Sequence, residues 1–371
     1  MAMLPGTERH PHARAVLGAA LPPAGAPSHA YLFHGPAGAG KRAVARAFAA
    51  ELLADGAPDP ESVRLRVAHG VHPDLTWVEP SGAAEMLVGD VQEPVIAGAT
   101  RTPFEARRRV FVLERAETMS DQVANKLLKT LEEPPAFAHL VLLTSRPGDL
   151  LETVASRCQP VRFDAPPDEE IAAALVAEGV APEAAGACAR LSLGDAERAR
   201  ALALGDGPAL RAGGEGLARA ALRDDLGARP WLEVLRVARR RGEEEQERIE
   251  RQTAEALELL PKRDQRRAER EGAESARRAN RRARTAAQDL ALTVCGLWLR
   301  DVGCVADGAP DVAHATDRLG ALREDAAGRD VHRLREAVAV VDETRAALVM
   351  LNATEELALE ALASRLGRLL S

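Results

Sequence analysis

The feature that most constrains this chain is a glycine-rich turn between a strand-like run and a helix-like run. Ala30-Tyr31-Leu32-Phe33-His34 is short and largely apolar, and leads directly into Gly35-Pro36-Ala37-Gly38-Ala39-Gly40-Lys41. A helical stretch, Arg42 to Leu53, follows. The pattern G-x-x-x-x-G-K between strand and helix is a phosphate-binding loop, or P-loop. Its glycines let backbone N–H groups curl around phosphate oxygens, and the helix N-terminus adds partial positive charge. Gly35, Gly38, Gly40 and Lys41 are therefore the candidate nucleotide-contacting residues, with Lys41 reaching the β- and γ-phosphates.

Two further apolar runs, Arg109-Val110-Phe111-Val112-Leu113 and Leu140-Val141-Leu142-Leu143-Thr144, have the length of strands. Runs so short and continuously apolar suit strands buried on both faces of a parallel sheet. Asp121 to Leu131 carries Val123, Leu127, Leu128 and Leu131 at helical spacing. Glu51 to Asp74 is polar and irregular, and is expected to be a surface excursion. Residues 166–205 are Ala-rich with helical periodicity, and the remainder to Ser371 reads as almost wholly helical. The expected organisation is an α/β domain over 1–165, a small helical domain over 166–205, and an all-helical domain over 206–371.

Length and composition agree with that plan. The 371 residues exceed one ordinary core. Aromatics are only 3% of the chain, so the cores must be mostly Ala, Leu and Val, which favours helix. The net charge of -7 argues against coating nucleic acid by bulk electrostatics. The four cysteines form no CxxC pair, which points to buried thiols in a reducing compartment. No N-terminal signal pattern and no run of roughly 18 apolar residues is present, so a cytoplasmic protein without a membrane span is expected. The tract Arg239 to Arg284 is extremely charged. It reads first as a solvated helix with opposite charges three and four apart, and second as a basic face toward DNA phosphates, because basic residues dominate from Lys262 to Arg284. No aromatic residue interleaves those arginines, so base stacking is not suggested.

The P-loop lacks its usual companions. Ser or Thr should follow the lysine to ligate Mg²⁺, but Arg42 stands there, and arginine has no acceptor atom. The second apolar strand should end in acids that hold the metal shell and polarise water. It ends in Leu113-Glu114-Arg115-Ala116-Glu117, with Arg115 where the general base would sit. Two defects in one site argue against hydrolysis.

Asn125-Lys126-Leu127-Leu128-Lys129-Thr130-Leu131-Glu132-Glu133-Pro134-Pro135 and Ser156-Arg157-Cys158, together with His72-Pro73-Asp74 and the P-loop opening, are motifs by which the chain resembles the clamp-loader family of the bacterial DNA polymerase III, most closely its delta-prime subunits. The resemblance covers roughly residues 10–205, and is weaker beyond, chiefly at Trp298 to Asp301 and Asn352 to Leu362. It implies an AAA+ P-loop domain with a parallel sheet, a helical lid and a C-terminal helical collar. It implies a non-motor subunit of a DNA-directed DNA polymerase (nucleotidyltransferase) holoenzyme, working with gamma/tau-type motor and delta subunits in a hetero-pentamer that loads the sliding clamp onto primed DNA. Arg157 matches the family's arginine finger, which acts in a neighbour's ATP site. Thr144 and Ser145 fall where a γ-phosphate sensor sits, and Arg198 falls near the second domain's sensor arginine. The resemblance implies no obligate cofactor: ATP or ADP would be held without hydrolysis, if at all. Family members usually carry a four-cysteine zinc module before the H-P-D motif; Leu52 to Val71 has no cysteine, so no zinc is expected. The alternatives are an active motor-type ATPase that tolerates Arg42 and Glu114, or another AAA+ replication or repair factor.

Overall fold

The computed structural model describes residues 4–21, 25–81, 85–258, 262–350 and 354–370. Two compact units divide the chain, Met1–Pro166 and Pro167–Ser371.

The first unit is built on five parallel strands: β1 (Ala30–His34), β2 (Leu75–Val78), β3 (Arg109–Leu113), β4 (Ala138–Thr144) and β5 (Gln159–Arg162), in the spatial order β2-β3-β4-β1-β5. Side chains of a strand alternate between faces, so each central strand feeds two cores. Tyr31 and Phe33 point to one side with Val110, Val112, Val141 and Leu143; the helices Pro11–Ala20, Lys41–Ala54 and Pro60–Ala68 close that side. Leu32, Phe111, Leu113, Leu140 and Leu142 point to the other, under the helix Asp121–Glu132. In that helix Val123, Leu127 and Leu131 are buried, while Leu128 is only partly so. Ser120 caps it by accepting from the Val123 amide. Full burial of such side chains contributes roughly 1.5–3 kcal/mol each.

One expectation fails here. Residues 51–74 are not irregular: Glu51–Ala54 finishes one helix, and Pro60–Ala68 forms another. Asp59 caps the second by accepting from the Ser62 amide at 3.1 Å, with Pro60 in its first turn. Only Val63 and Val67, four residues apart, are buried. That narrow stripe explains why the segment reads as polar. Asp74 is itself fully buried. It accepts from the amides of Phe104 (2.6 Å), Glu105 (2.9 Å) and Ala106 (2.9 Å), which ties the entrance of β2 to the loop before β3. Burial works against its ionisation, but the amides of Ala106, Glu105 and Phe104, with Arg109 nearby, hold its pKa below the ordinary carboxylate range.

The second unit is helical. Helices Asp168–Ala177, Pro182–Leu191 and Ala196–Ala203 share its core with Gly207–Leu222, Trp231–Glu258, Lys262–Ala306, Val331–Met350 and Glu355–Leu370. The last of these buries Leu359, Leu362, Ala363, Leu366 and Leu370 along one face. Inside this core Asp325 accepts from Arg219 (2.9 Å), Arg223 (2.8 Å) and the Trp298 indole (3.1 Å). A buried carboxylate with that many donors is satisfied, not strained. Trp298 and Asp301 are both buried, and Asp301 accepts from the amides of His314 and Ala315.

Candidate functional site

The P-loop leaves the C-terminal end of β1, whose neighbours are β4 and β5. The C-terminal strand ends of such a sheet are where ligands of this architecture gather. Gly35 has φ 142°, and a Cβ there would lie 2.2 Å from the Phe163 carbonyl oxygen, so no other residue fits. Gly38 and Gly40 also have positive φ, at 71° and 83°, and Gly40 caps the helix Lys41–Ala54. Lys41 is buried, and its Nζ donates to the carbonyls of Gly35 (2.7 Å) and Pro36 (2.6 Å). The lysine thus braces the loop from within. His34 enters the same loop; burial, then His12, Arg162 and Lys41, push its pKa down and keep it neutral near pH 7.

Arg42 turns toward the acids. Its Nε lies 2.9 Å from Glu114 Oε1, and its Nη2 lies 2.6 Å from Glu79 Oε1. The Trp77 indole donates to the same Glu114 oxygen at 2.5 Å. Arg46 stacks on Trp77, with its guanidinium carbon 4.5 Å from the ring centroid. The carboxylate at the metal-holding position therefore faces a guanidinium supplied by the residue that should have been a metal ligand. These residues do not fit a magnesium ion: the hydroxyl is gone, and the acid already has a cation.

Around this pair the catalytic positions are diverted. Arg115 is exposed, with φ 51°. Glu117 accepts from the Ser145 hydroxyl at 3.0 Å, and its second oxygen is buried without a hydrogen bond among the described residues. Thr144 is buried at the end of β4, and its hydroxyl accepts from the Arg146 amide at 3.1 Å. Both candidate sensors are engaged in local hydrogen bonds.

Arg157 lies elsewhere. It precedes β5, which runs parallel to β1, so it sits at the N-terminal edge of the sheet. Ser28, His29, Glu132, Ser156 and Gln159 line a shallow groove with it. The P-loop is at the other edge, one strand length away, or about 16 Å for five residues. Arg157 is exposed; its Nη1 donates to the Thr153 carbonyl at 2.7 Å, and its Nη2 pairs with Glu132 at 2.5 Å. Both partners of that pair are over a third exposed, so it is worth about 0.2–1 kcal/mol. Cys158, next in sequence, is buried, which pushes its thiol up to about 12 and makes it an anchor for the turn and not a nucleophile.

The fold therefore gathers Gly35, Gly38, Gly40 and Lys41 with Arg42 and Glu114, and keeps Arg157 apart. Arg198, in the second unit, donates to the Ser192 carbonyl at 3.2 Å and lies 3.8 Å from Asp195. Sequence reasoning missed Trp77 and Glu79. Trp77 lies in β2 and Glu79 directly follows it, and no motif flags them. Among the described residues, no group of three or more His, Cys, Asp or Glu is placed to hold a metal, and no helix is long and apolar enough to cross a membrane.

Residues 19–167 match the family described as DNA polymerase III, delta subunit. The chain is 40% identical over 136 residues to the DNA polymerase III subunit delta' of Pseudomonas aeruginosa, covering 35% of this chain and 42% of that one. It is 35% identical over 176 residues to the subunit delta' of Bacillus subtilis, covering 46% and 52%. The DNA polymerase III subunit tau of Bacillus subtilis is 32% identical over 142 residues, covering 37% of this chain and 24% of that one. The chain thus spans about half the length of the two delta' relatives. The segment that carries the P-loop, the leucine-lysine helix and Ser156-Arg157-Cys158 is thus similar to the DNA polymerase III delta' subunits and, more weakly, to a tau subunit.

Proposed function

We propose that the chain is a non-motor clamp-loader subunit that lends Arg157 to a neighbour's ATP site and performs no hydrolysis of its own. The observation that carries this reading is the separation of Arg157 from its own P-loop by the length of the sheet. A guanidinium so placed cannot serve the nucleotide site of the same chain. It remains exposed and weakly held, so exchanging Glu132 for a γ-phosphate costs little. A planar guanidinium forks onto phosphate oxygens and stays charged at every working pH. Supplied in trans, such a group is worth about 10³–10⁵ in rate.

The same reading gives the P-loop a reduced part. Lys41 and the three glycines keep the shape of a phosphate cradle, while the Arg42–Glu114 pair stands against metal-assisted chemistry. The loop serves as a folding element that holds ATP or ADP loosely or not at all. Residues 166–205 would act as the lid, and residues 206–371 as the collar. The partners would be gamma/tau-type motor subunits and a delta subunit in a hetero-pentamer, with the sliding clamp and primed DNA reached through the complex. ATP turnover by the purified chain tests this. No Mg²⁺-dependent turnover is expected; turnover that Lys41→Ala abolishes would replace this reading with a motor-type ATPase.

A further inference from the structure

The helices Trp231–Glu258 and Lys262–Ala306 are 28 and 45 residues long and pair antiparallel: Gly272 meets Thr253, Asn280 donates to Gln246 at 3.0 Å, and Gly242 meets Arg284. Small residues make the seam. A Cβ on Gly272 would lie 2.3 Å from Thr253 Cγ2, and Ala276, Ala279 and Ala287 are buried. Residues 272, 276, 279, 283 and 287 form one Gly/Ala stripe at helical spacing.

On another side of the same helix stand Arg266, Arg270, Arg277 and Arg281, all exposed. At 3.6 residues per turn they fall within about 60° of one another and span about 22 Å of axis. Among the described residues, no ion pair or hydrogen bond engages any of the four, whereas Arg278 pairs with Glu274 and Arg284 with Glu355. The other arm differs: Arg248 and Arg251 pair with Glu245 and Glu247 on their own helix. Lys262 to Arg284 holds ten basic and four acidic residues and no apolar side chain larger than alanine.

We propose that this arginine stripe is a docking surface for the phosphate backbone of duplex DNA. Four guanidinium groups that have no partner among the described residues, spread along about 22 Å, complement a polymer that carries one charge per about 1.7 Å of axis. A protein partner would need buried aromatic or aliphatic anchors, and an anionic membrane would need apolar side chains to insert; the stripe offers neither. With no aromatic residue on it, the surface reads charge and not sequence. This inference does not depend on the clamp-loader reading.

The test uses the purified 371-residue chain and a short fluorescent DNA duplex, with affinity followed by anisotropy across a salt series. Four phosphate contacts predict a log–log salt slope of about -3.6, or roughly a hundredfold loss between about 50 and 200 mM salt. Changing Arg266, Arg270, Arg277 and Arg281 together to Gln should weaken low-salt binding at least tenfold and bring the slope near zero. Changing all four to Lys should preserve binding. The pair Arg236→Gln and Arg248→Gln, which removes guanidinium groups already bonded to Glu233 and Glu245, should leave it unchanged. Wild-type affinity in the Gln variant, an equal loss in the control pair, or tighter binding to polyglutamate or anionic phospholipid vesicles than to DNA would overturn the proposal.

Discussion

Lowering the pH should loosen the first unit through His139. This residue is buried at the second position of β4. Its Nδ1 faces the Ser28 carbonyl at 2.9 Å, so the neutral ring carries its proton there. Its Nε2 is buried with no hydrogen-bond partner among the described residues, and the His29 ring stacks beside it at 5.5 Å. A second proton would have no acceptor, and burial pushes the pKa from 6.5 down to about 4. The unfolded chain accepts that proton below about pH 6.5 and the folded chain does not. The stabilisation is therefore complete above 6.5 and is lost as pH falls toward 4. With those two values, going from about pH 7 to about pH 5 removes about 2 kcal/mol, roughly a 30-fold change in the opening equilibrium. Hydrogen exchange of the Leu140–Leu143 amides, corrected for intrinsic rate, measures that opening locally. The variant His139→Gln keeps a donor for Ser28 but cannot take up the proton. It should show a pH dependence shallower by about 2 kcal/mol, with a remainder from His10, His34 and His72, which burial shifts in the same direction. An unchanged pH dependence would refute the assignment.

Three other outcomes follow from the packing and the site. Asp74→Ala leaves the amides of Phe104, Glu105 and Ala106 without their acceptor and should destabilise the first unit by about 3–5 kcal/mol in a urea titration; a loss below about 1 kcal/mol would contradict it. Gly214→Ala should cost about 1–3 kcal/mol because its Cβ would lie 2.2 Å from the Ala291 carbonyl oxygen, while Gly216→Ala, in the same helix with open space, should be neutral or stabilising by up to about 1 kcal/mol. Restoring metal ligands with Arg42→Thr and Glu114→Asp should strengthen Mg²⁺-nucleotide binding in equilibrium titration without turnover, because Arg115 still occupies the base position; turnover in that variant would show that the base lies elsewhere.

What was legible in the sequence depended on burial. Ala30–Phe33 and Val110–Leu113 are continuously apolar because both faces are covered, and so they announce themselves. The edge strands do not. Gln159–Arg162 buries only Val161, and Pro160 is tolerated because an edge strand has ladder positions without a partner. Leu75–Val78 is only partly buried over its first three residues. At the site, the chemistry of Arg42 was readable from its lack of an acceptor, but its bond to Glu114 was not, because the sheet order and not the spacing brings the first turn of the helix Lys41–Ala54 beside the end of β3. Arg157 was marked by its motif. Its distance from the P-loop required knowing that β5 lies parallel and next to β1. In the charged tract, the helical period of the four arginines was present in the sequence, but their lack of acidic partners among the described residues depends on how the facing arm packs.

The central claim is that Arg157 works in another subunit's pocket. Its most direct measurement is the DNA-stimulated ATPase rate of the complex reconstituted with motor and delta subunits, comparing wild type with Arg157→Ala. Assembly on gel filtration should be unchanged, because the side chain is exposed and, among the described residues, holds only Glu132 and the Thr153 carbonyl. Loss of the finger at one site should abolish that site's share of turnover, a drop of about 10³-fold or more per affected site. An unchanged rate in a fully assembled complex would contradict the account.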